Sequence, residues 1–150
     1  MDGLPGKIVA LDLGEAYSGV AISDAGGFLA RPLEVIPSDQ LVEYLGTLLA
    51  QESIAEVVVG LPKTLGGEVG FQAKRVLAKL GTLRDTFPTA RFVEWDERLT
   101  TRLARSSRSE PRSTPRKRGS KERVDHLAAA AMLQEYLDRR ETFEAVRRGP

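Results

Sequence analysis

Three acidic motifs carry the residues of this chain best suited to chemistry. Asp12 interrupts an otherwise apolar run, KIVALDLG. Asp96 and Glu97 adjoin in VEWDERLTT, and Glu122 and Asp125 stand three apart in KERVDHLAAAAML. A buried carboxylate costs several kcal/mol unless a cation or hydrogen bonds compensate, which makes Asp12 the sharpest of these signals. Strand alternation puts Val93, Trp95 and Glu97 on one face and Phe92, Glu94 and Asp96 on the other. Only one of the adjoining acids can then face a given site, and Glu97 is the choice. A spacing of three places Glu122 and Asp125 on one side of a first helical turn. Each motif also has a purely structural reading. Asp12 can accept backbone N–H bonds in the turn before Gly14, Asp96 or Glu97 can cap a helix, and acids in a first turn commonly partner the helix dipole.

Brought together, these carboxylates repel one another unless divalent cations are bound, and a pair of ions ~4 Å apart offsets that repulsion. Such a pair activates an attacking water and stabilises charge on a scissile phosphate, so the expected chemistry is in-line phosphodiester hydrolysis without a histidine base. The chain has no cysteine and a single histidine, His126. Thiolate and multi-histidine zinc sites are thereby excluded, and oxygen ligands suit Mg²⁺ or Mn²⁺. His126 lies about 100° round the helix from Asp125 and points elsewhere when Asp125 faces the site.

The elements that must position these acids can be read from periodicity. Ile8 to Leu13, Ser18 to Ser23 and Phe28 to Ile36 read as three strands joined by short connections, an antiparallel meander. From Ser38, a good N-cap, Leu41, Val42, Leu45, Leu48 and Leu49 recur at helical spacing. Glu56 to Leu61 is a continuous apolar run of the kind buried on both faces of a parallel sheet, ended by Pro62. A second helix places Val69, Ala73, Val76, Leu77, Leu80 and Leu83 on one stripe. A strand at Ala90 to Trp95 follows, then a short helix around Leu99 and Leu103 and a helix from Lys121 to Arg139. The expected fold is α/β, with a mixed five-stranded sheet and helices on both faces. The carboxyl ends of its parallel strands would share the edge where sites usually form.

At 150 residues, with 41% hydrophobic and 29% charged, the chain is expected to be a single domain spanning 1–150. The first apolar run is too short for a signal segment or membrane span, so a cytoplasmic location is expected. A net charge of +1 conceals a basic window, Arg105 to Arg123, with eight Lys or Arg against Glu110 and Glu122. Within it, Ser106 to Ser120 reads as a flexible loop carrying Arg116, Lys117 and Arg118. Such a block suits a polyanionic partner, because Lys and Arg release condensed counterions on meeting phosphates, although a solvated loop has the same composition.

Taken in order, the motifs resemble the RuvX/YqgF family over nearly the whole chain, from Ile8 to Leu137. LDLGEAYSGVAISD resembles that family's opening segment, VVVGLP its central strand and turn, WDERLTT its Asp-Glu-Arg stretch and KERVDHLAAAAML its closing helix. The resemblance implies a ribonuclease H-like fold. It also implies metal-binding catalytic residues at Asp12, Glu97 and Asp125, with Glu122 as a fourth acid. Arg98, Thr100, Thr101 and Lys121 match positions that support the site or contact phosphates. The implied substrate is four-way junction DNA or the 5′ end of precursor 16S rRNA; a resolvase of two-fold symmetric DNA would act as a homodimer. Tyr17-Ser18 stands before Gly19 where the family usually has Arg and an apolar residue. A basic contact is thus exchanged for an aromatic that can stack on a base.

Two other classes compete. LDLG with a following strand also resembles the phosphate-contacting hairpin of sugar-kinase and actin-like phosphotransferases, but those need two such domains to enclose ATP. A non-catalytic nucleic-acid-binding or ribosome-assembly factor would keep the fold and basic loop, yet it would gain from losing acids near phosphates. Gly66-Gly67 lacks the Lys-Ser/Thr of a P-loop and LDLGEAYSG lacks dinucleotide-fingerprint spacing.

Overall fold

The computed structural model describes the backbone of residues 6–61, 71–96 and 120–148, and the side chains of 6–61, 73–95 and 126–140. Strands β1 (Lys7–Leu13), β2 (Tyr17–Ser23) and β3 (Ala30–Pro37) come first, followed by a 3-10 turn (Ser38–Gln40) and helix α1 (Leu41–Gln51). Strand β4 (Ile54–Leu61), helix α2 (Phe71–Thr86), strand β5 (Phe92–Asp96) and helix α3 (Ser120–Arg148) complete the order. The strands form one sheet in the order β3-β2-β1-β4-β5. β1 is antiparallel to β2, and β2 to β3, whereas β4 is parallel to β1 and β5 parallel to β4.

Period-two alternation on β1 supplies both cores. Val9, Leu11 and Leu13 face α1 and α2, meeting Leu41, Leu45, Leu48, Val76, Leu80 and Leu83. Ile8 and Ala10 face the opposite way with Ala21 and Val58, and α3 covers them with Ala129, Met132, Leu133 and Leu137. Small side chains at Ala10, Ala21 and Ala129, all fully buried, let the helix backbone approach the sheet. The expected meander, the parallel strands and the helices on both faces are therefore present.

The differences from expectation have local causes. Phe28 and Leu29 are not in β3; they are exposed, because Asp24 Oδ1 accepts hydrogen bonds from the amides of Phe28 (2.8 Å) and Leu29 (3.0 Å) and holds them in a turn. Those amides, Leu29 first, also keep the Asp24 carboxyl below its ordinary pKa. Pro32 is tolerated because β3 is an edge strand. Leu77, expected on the buried stripe of α2, is 40% exposed, since the stripe narrows to Ala73, Val76, Leu80 and Leu83. Ser38 does not cap a helix side-on, because its hydroxyl is engaged elsewhere. α3 continues past Arg139 to Arg148. Val69, the short helix at Leu99 and Leu103 and the loop from Ser106 to 119 lie outside the described residues.

Because α3 is held to the sheet by few large side chains, Leu133→Ala should destabilise the protein by about 2–5 kcal/mol. The check is the shift in the denaturant midpoint. A loss under about 1 kcal/mol would mean that this helix is not integral to the core.

Candidate active site

Asp12 lies on β1 two positions beyond Ala10, so alternation turns it to the α3 face, near the carboxyl end of the strand. Its cross-strand partner on β2 is Gly19. On the other side, Leu11 pairs with Val59, so the next position opposite Asp12 is Gly60. The half-buried carboxylate thus has a glycine beside it on each neighbouring strand, and neither contributes a side chain to this face. Asp12 engages a partner of its own, as a half-buried carboxylate must. Neither glycine stands out in the sequence, where glycine inside a strand-like run reads only as a weak position. Their juxtaposition follows from register.

One strand further out, Trp95 pairs with Gly60 and, with Val93, packs on the α3 face. That agrees with the alternation expected for β5. Trp95 meets Tyr136 of α3 edge-to-face, with centroids 5.5 Å apart and an interplanar angle of 88°. The Tyr136 hydroxyl donates to Glu56 Oε1 at 2.6 Å. Burial, and then this bond to Glu56, push the phenol above its ordinary pKa. Tyr17, at the start of β2, shares the face of Gly19 by alternation and is 40% exposed.

The direction of α3 fixes the rest of the edge. Gln134 receives the Ala30 amide at 2.9 Å and donates to the Phe28 carbonyl at 3.0 Å. Tyr136 reaches Glu56, which pairs with Ile8 at the start of β1. The middle of α3 therefore sits at the amino end of β1, and the helix runs back antiparallel to it. From Tyr136 to Asp125 the helix rises about 16 Å, and from Ile8 to Asp12 the strand advances about 13 Å. The first turns of α3 are thus brought to the end of β1 that carries Asp12. In sequence, Asp125 stands four residues before Ala129 of that helix.

The backbones of Lys121, Glu122 and Asp125 lie in α3, while their side chains are outside the described residues. Glu97, Arg98, Thr100, Thr101, Arg116, Lys117 and Arg118 fall outside altogether. Asp96 ends β5, one position before Glu97. Among the described residues no three metal-ligating side chains gather. Asp12, the acid described at this edge, is an oxygen donor of the kind that fits a hard divalent cation. His126 is partly buried and engaged.

A hydroxyl relay braces the turn after Asp12. Ser38 Oγ donates to the Gly14 carbonyl at 2.8 Å, which leaves the buried Ser18 hydroxyl to donate to Ser38 Oγ, also at 2.8 Å. The Ser38 amide donates to the Ala16 carbonyl at 2.9 Å.

The five-stranded sheet, antiparallel and then parallel in the order β3-β2-β1-β4-β5 with helices on both faces, is a ribonuclease H-like fold, and comparison bears the fold out. The structure titled T. thermophilus RuvC in complex with Holliday junction substrate is similar, with a TM-score of 0.56, 15% identity and coverage of 91% of this chain and 96% of that one. A second T. thermophilus RuvC structure gives 0.51 at the same identity and coverage. The family described as "RuvX: Holliday junction resolvase" matches residues 6–139, and the chain belongs to this nuclease family. A Rubrobacter xylanophilus protein named "Putative pre-16S rRNA nuclease" is 57% identical over 133 residues, covering 89% of this chain and 93% of its own. One of the same name from Staphylococcus haemolyticus is 36% identical over 137 residues, covering 88% and 95%.

Ser38→Ala removes the donor to Gly14 and strands the Ser18 hydroxyl, so it should cost about 1–3 kcal/mol. Ser18→Ala with Ser38→Ala should cost less than the sum of the single changes. Additive losses in denaturant unfolding would show that the two hydroxyls do not act as one relay.

Proposed function

We propose that this chain is a divalent-metal-dependent endonuclease of structured nucleic acid, with Asp12, Glu97 and Asp125 as its catalytic carboxylates. The observation that carries the reading is the placement of Asp12 between Gly19 and Gly60, at the sheet edge toward which the first turns of α3 return. A lone structural aspartate has no need of side-chain-free neighbours on both sides. A cation with a phosphate does.

In this reading Asp12, Glu97 and Asp125, joined by Glu122, hold Mg²⁺ or Mn²⁺. Bound there, the cation supplies an activated water and neutralises charge at the scissile phosphate. The protein's own contribution is positional: Asp12 is fixed by a strand buried on both faces, and the turn after it is braced by Ser38. Tyr17 offers an exposed ring to a base. Arg98, Thr100, Thr101, Lys121 and the loop cations Arg116, Lys117 and Arg118 contact the phosphate backbone. The relatives' names favour precursor 16S rRNA as substrate, read here as its 5′ end, whereas the family description favours Holliday junction DNA, whose two-fold symmetry would call for a homodimer. No helix among the described residues is long and apolar enough to cross a membrane, in keeping with a cytoplasmic nuclease.

Asp12→Asn should lower cleavage by more than about a hundredfold, beyond the cost of losing an outer-shell group, while leaving unfolding cooperative; residual wild-type-like cleavage would exclude Asp12. Labelled precursor 16S leader and a synthetic four-way junction, compared with Mg²⁺ or Mn²⁺, separate the substrates. Cutting of the leader alone identifies an rRNA-processing enzyme, symmetric cuts in the junction a resolvase, and no cutting of either a binding factor. Changing Arg116, Lys117 and Arg118 together to Ala should weaken binding across sequences and flatten its salt dependence. An unchanged slope would leave that segment as solvated surface.

A further inference from the structure

On the opposite face of the sheet from Asp12, α2 and the end of β1 enclose an open cleft of about 180 Å³. Its walls include the Gly14 turn, Glu15, Ser38, Arg75 and Lys79. Arg75 and Lys79 are one helical turn apart on α2, so both cations project toward the same strand end. Arg75 Nη1 pairs with Glu15 Oε2 at 3.0 Å, and that pair is exposed, at 40% and 68%. Lys79 is half-buried, and among the described residues no carboxylate pairs with it. The serine hydroxyls are spent on each other and on Gly14, so the charged groups described at the cleft, Arg75 and Lys79 against Glu15, are net positive. A partly buried ammonium with no carboxylate partner among the described residues is a donor that an anion can take up.

We infer that this cleft is a second phosphate-binding site, which takes a backbone phosphodiester of the bound nucleic acid outside the scissile position. Arg75 and Lys79 hold the phosphate, and Glu15 is the anion it displaces from Arg75. The geometry suits a continuous strand. Gly14 follows Asp12 by about 7 Å of β-strand, so a nucleic-acid strand passing over the carboxyl edge leaves the carboxylate on one face and meets the cleft on the other. Arg75 offers a planar fork to phosphate and Lys79 a point charge. Glu15 makes the site conditional, because only a ligand that supplies a stronger anion opens it. The ligand class rests on the nuclease reading; the anion preference rests on the cleft alone.

The test is binding of a labelled precursor 16S leader and a labelled four-way junction, followed by fluorescence anisotropy without divalent metal over a range of salt. Lys79→Gln and Arg75→Gln should each weaken binding about threefold to tenfold and lower the salt slope, by up to one phosphate contact between them, about 0.9 on duplex DNA and about 0.7 on single strands. Lys79→Arg should keep the slope. Glu15→Gln should tighten binding about threefold, while Asp85→Asn, on the same helix and exposed, should leave it unchanged. Unaltered slopes in Lys79→Gln and Arg75→Gln would overturn the site. So would equal tightening by Glu15→Gln and Asp85→Asn, which is the signature of a general field. Cleavage assayed in parallel separates the two ideas. Changed slopes without any metal-dependent cutting would leave the phosphate site standing and remove the nuclease reading, and cutting with unchanged slopes would do the reverse.

Discussion

The alternation of β1 between two buried faces is the constraint on which the rest of the structure depends. Val9, Leu11 and Leu13 are committed to the α1 and α2 side, and Ile8 and Ala10 to the α3 side. A shift of one residue would expose one set and bury the other wrongly. The register therefore cannot slip, and Asp12 is held on the α3 face by apolar neighbours that have no polar role.

Two consequences follow at the carboxyl edge. The strands beside Asp12 present glycine at its level, so neither adds a side chain beside the carboxylate. α3 then supplies the other wall. Gln134 and Tyr136 tie its middle to the amino end of the sheet, which leaves its first turns to return over Asp12. Small residues under the helix permit the close approach, and the Trp95–Tyr136 contact fills the gap toward β5. Packing energy collected at one end of the sheet is thus used to orient groups at the other.

Charge is distributed around this edge with the same economy. Asp12 lies on the α3 side of its strand, whereas α2 brings Arg75 and Lys79 to the other side of the same strand end. In the proposed reading, a nucleic acid lying along the edge would meet a carboxylate-held cation on one face and positive groups that accept phosphate directly on the other. Neither set alone would hold a polyanion in a defined register.

Much of this was legible in the residues. The run IVAL broken by Asp12, the β-branched VVV of β4 and the leucines of α1 each have a single comfortable placement, so strand and helix types followed from burial alone. The family was legible because four short motifs occur in order. Local competition decided where expectation failed: Asp24 captured two amides and took Phe28 and Leu29 out of β3, and Ser38 spent its hydroxyl on Gly14 and not on a helix end. The glycines beside Asp12 and the pairing of Glu15 with Arg75 depend on strand register and on a helix sixty residues away. Periodicity tells each segment which face is apolar, but it carries no information on which segment will lie alongside. The sequence by itself determined the acids and the elements that carry them; only tertiary packing decided what stands next to each.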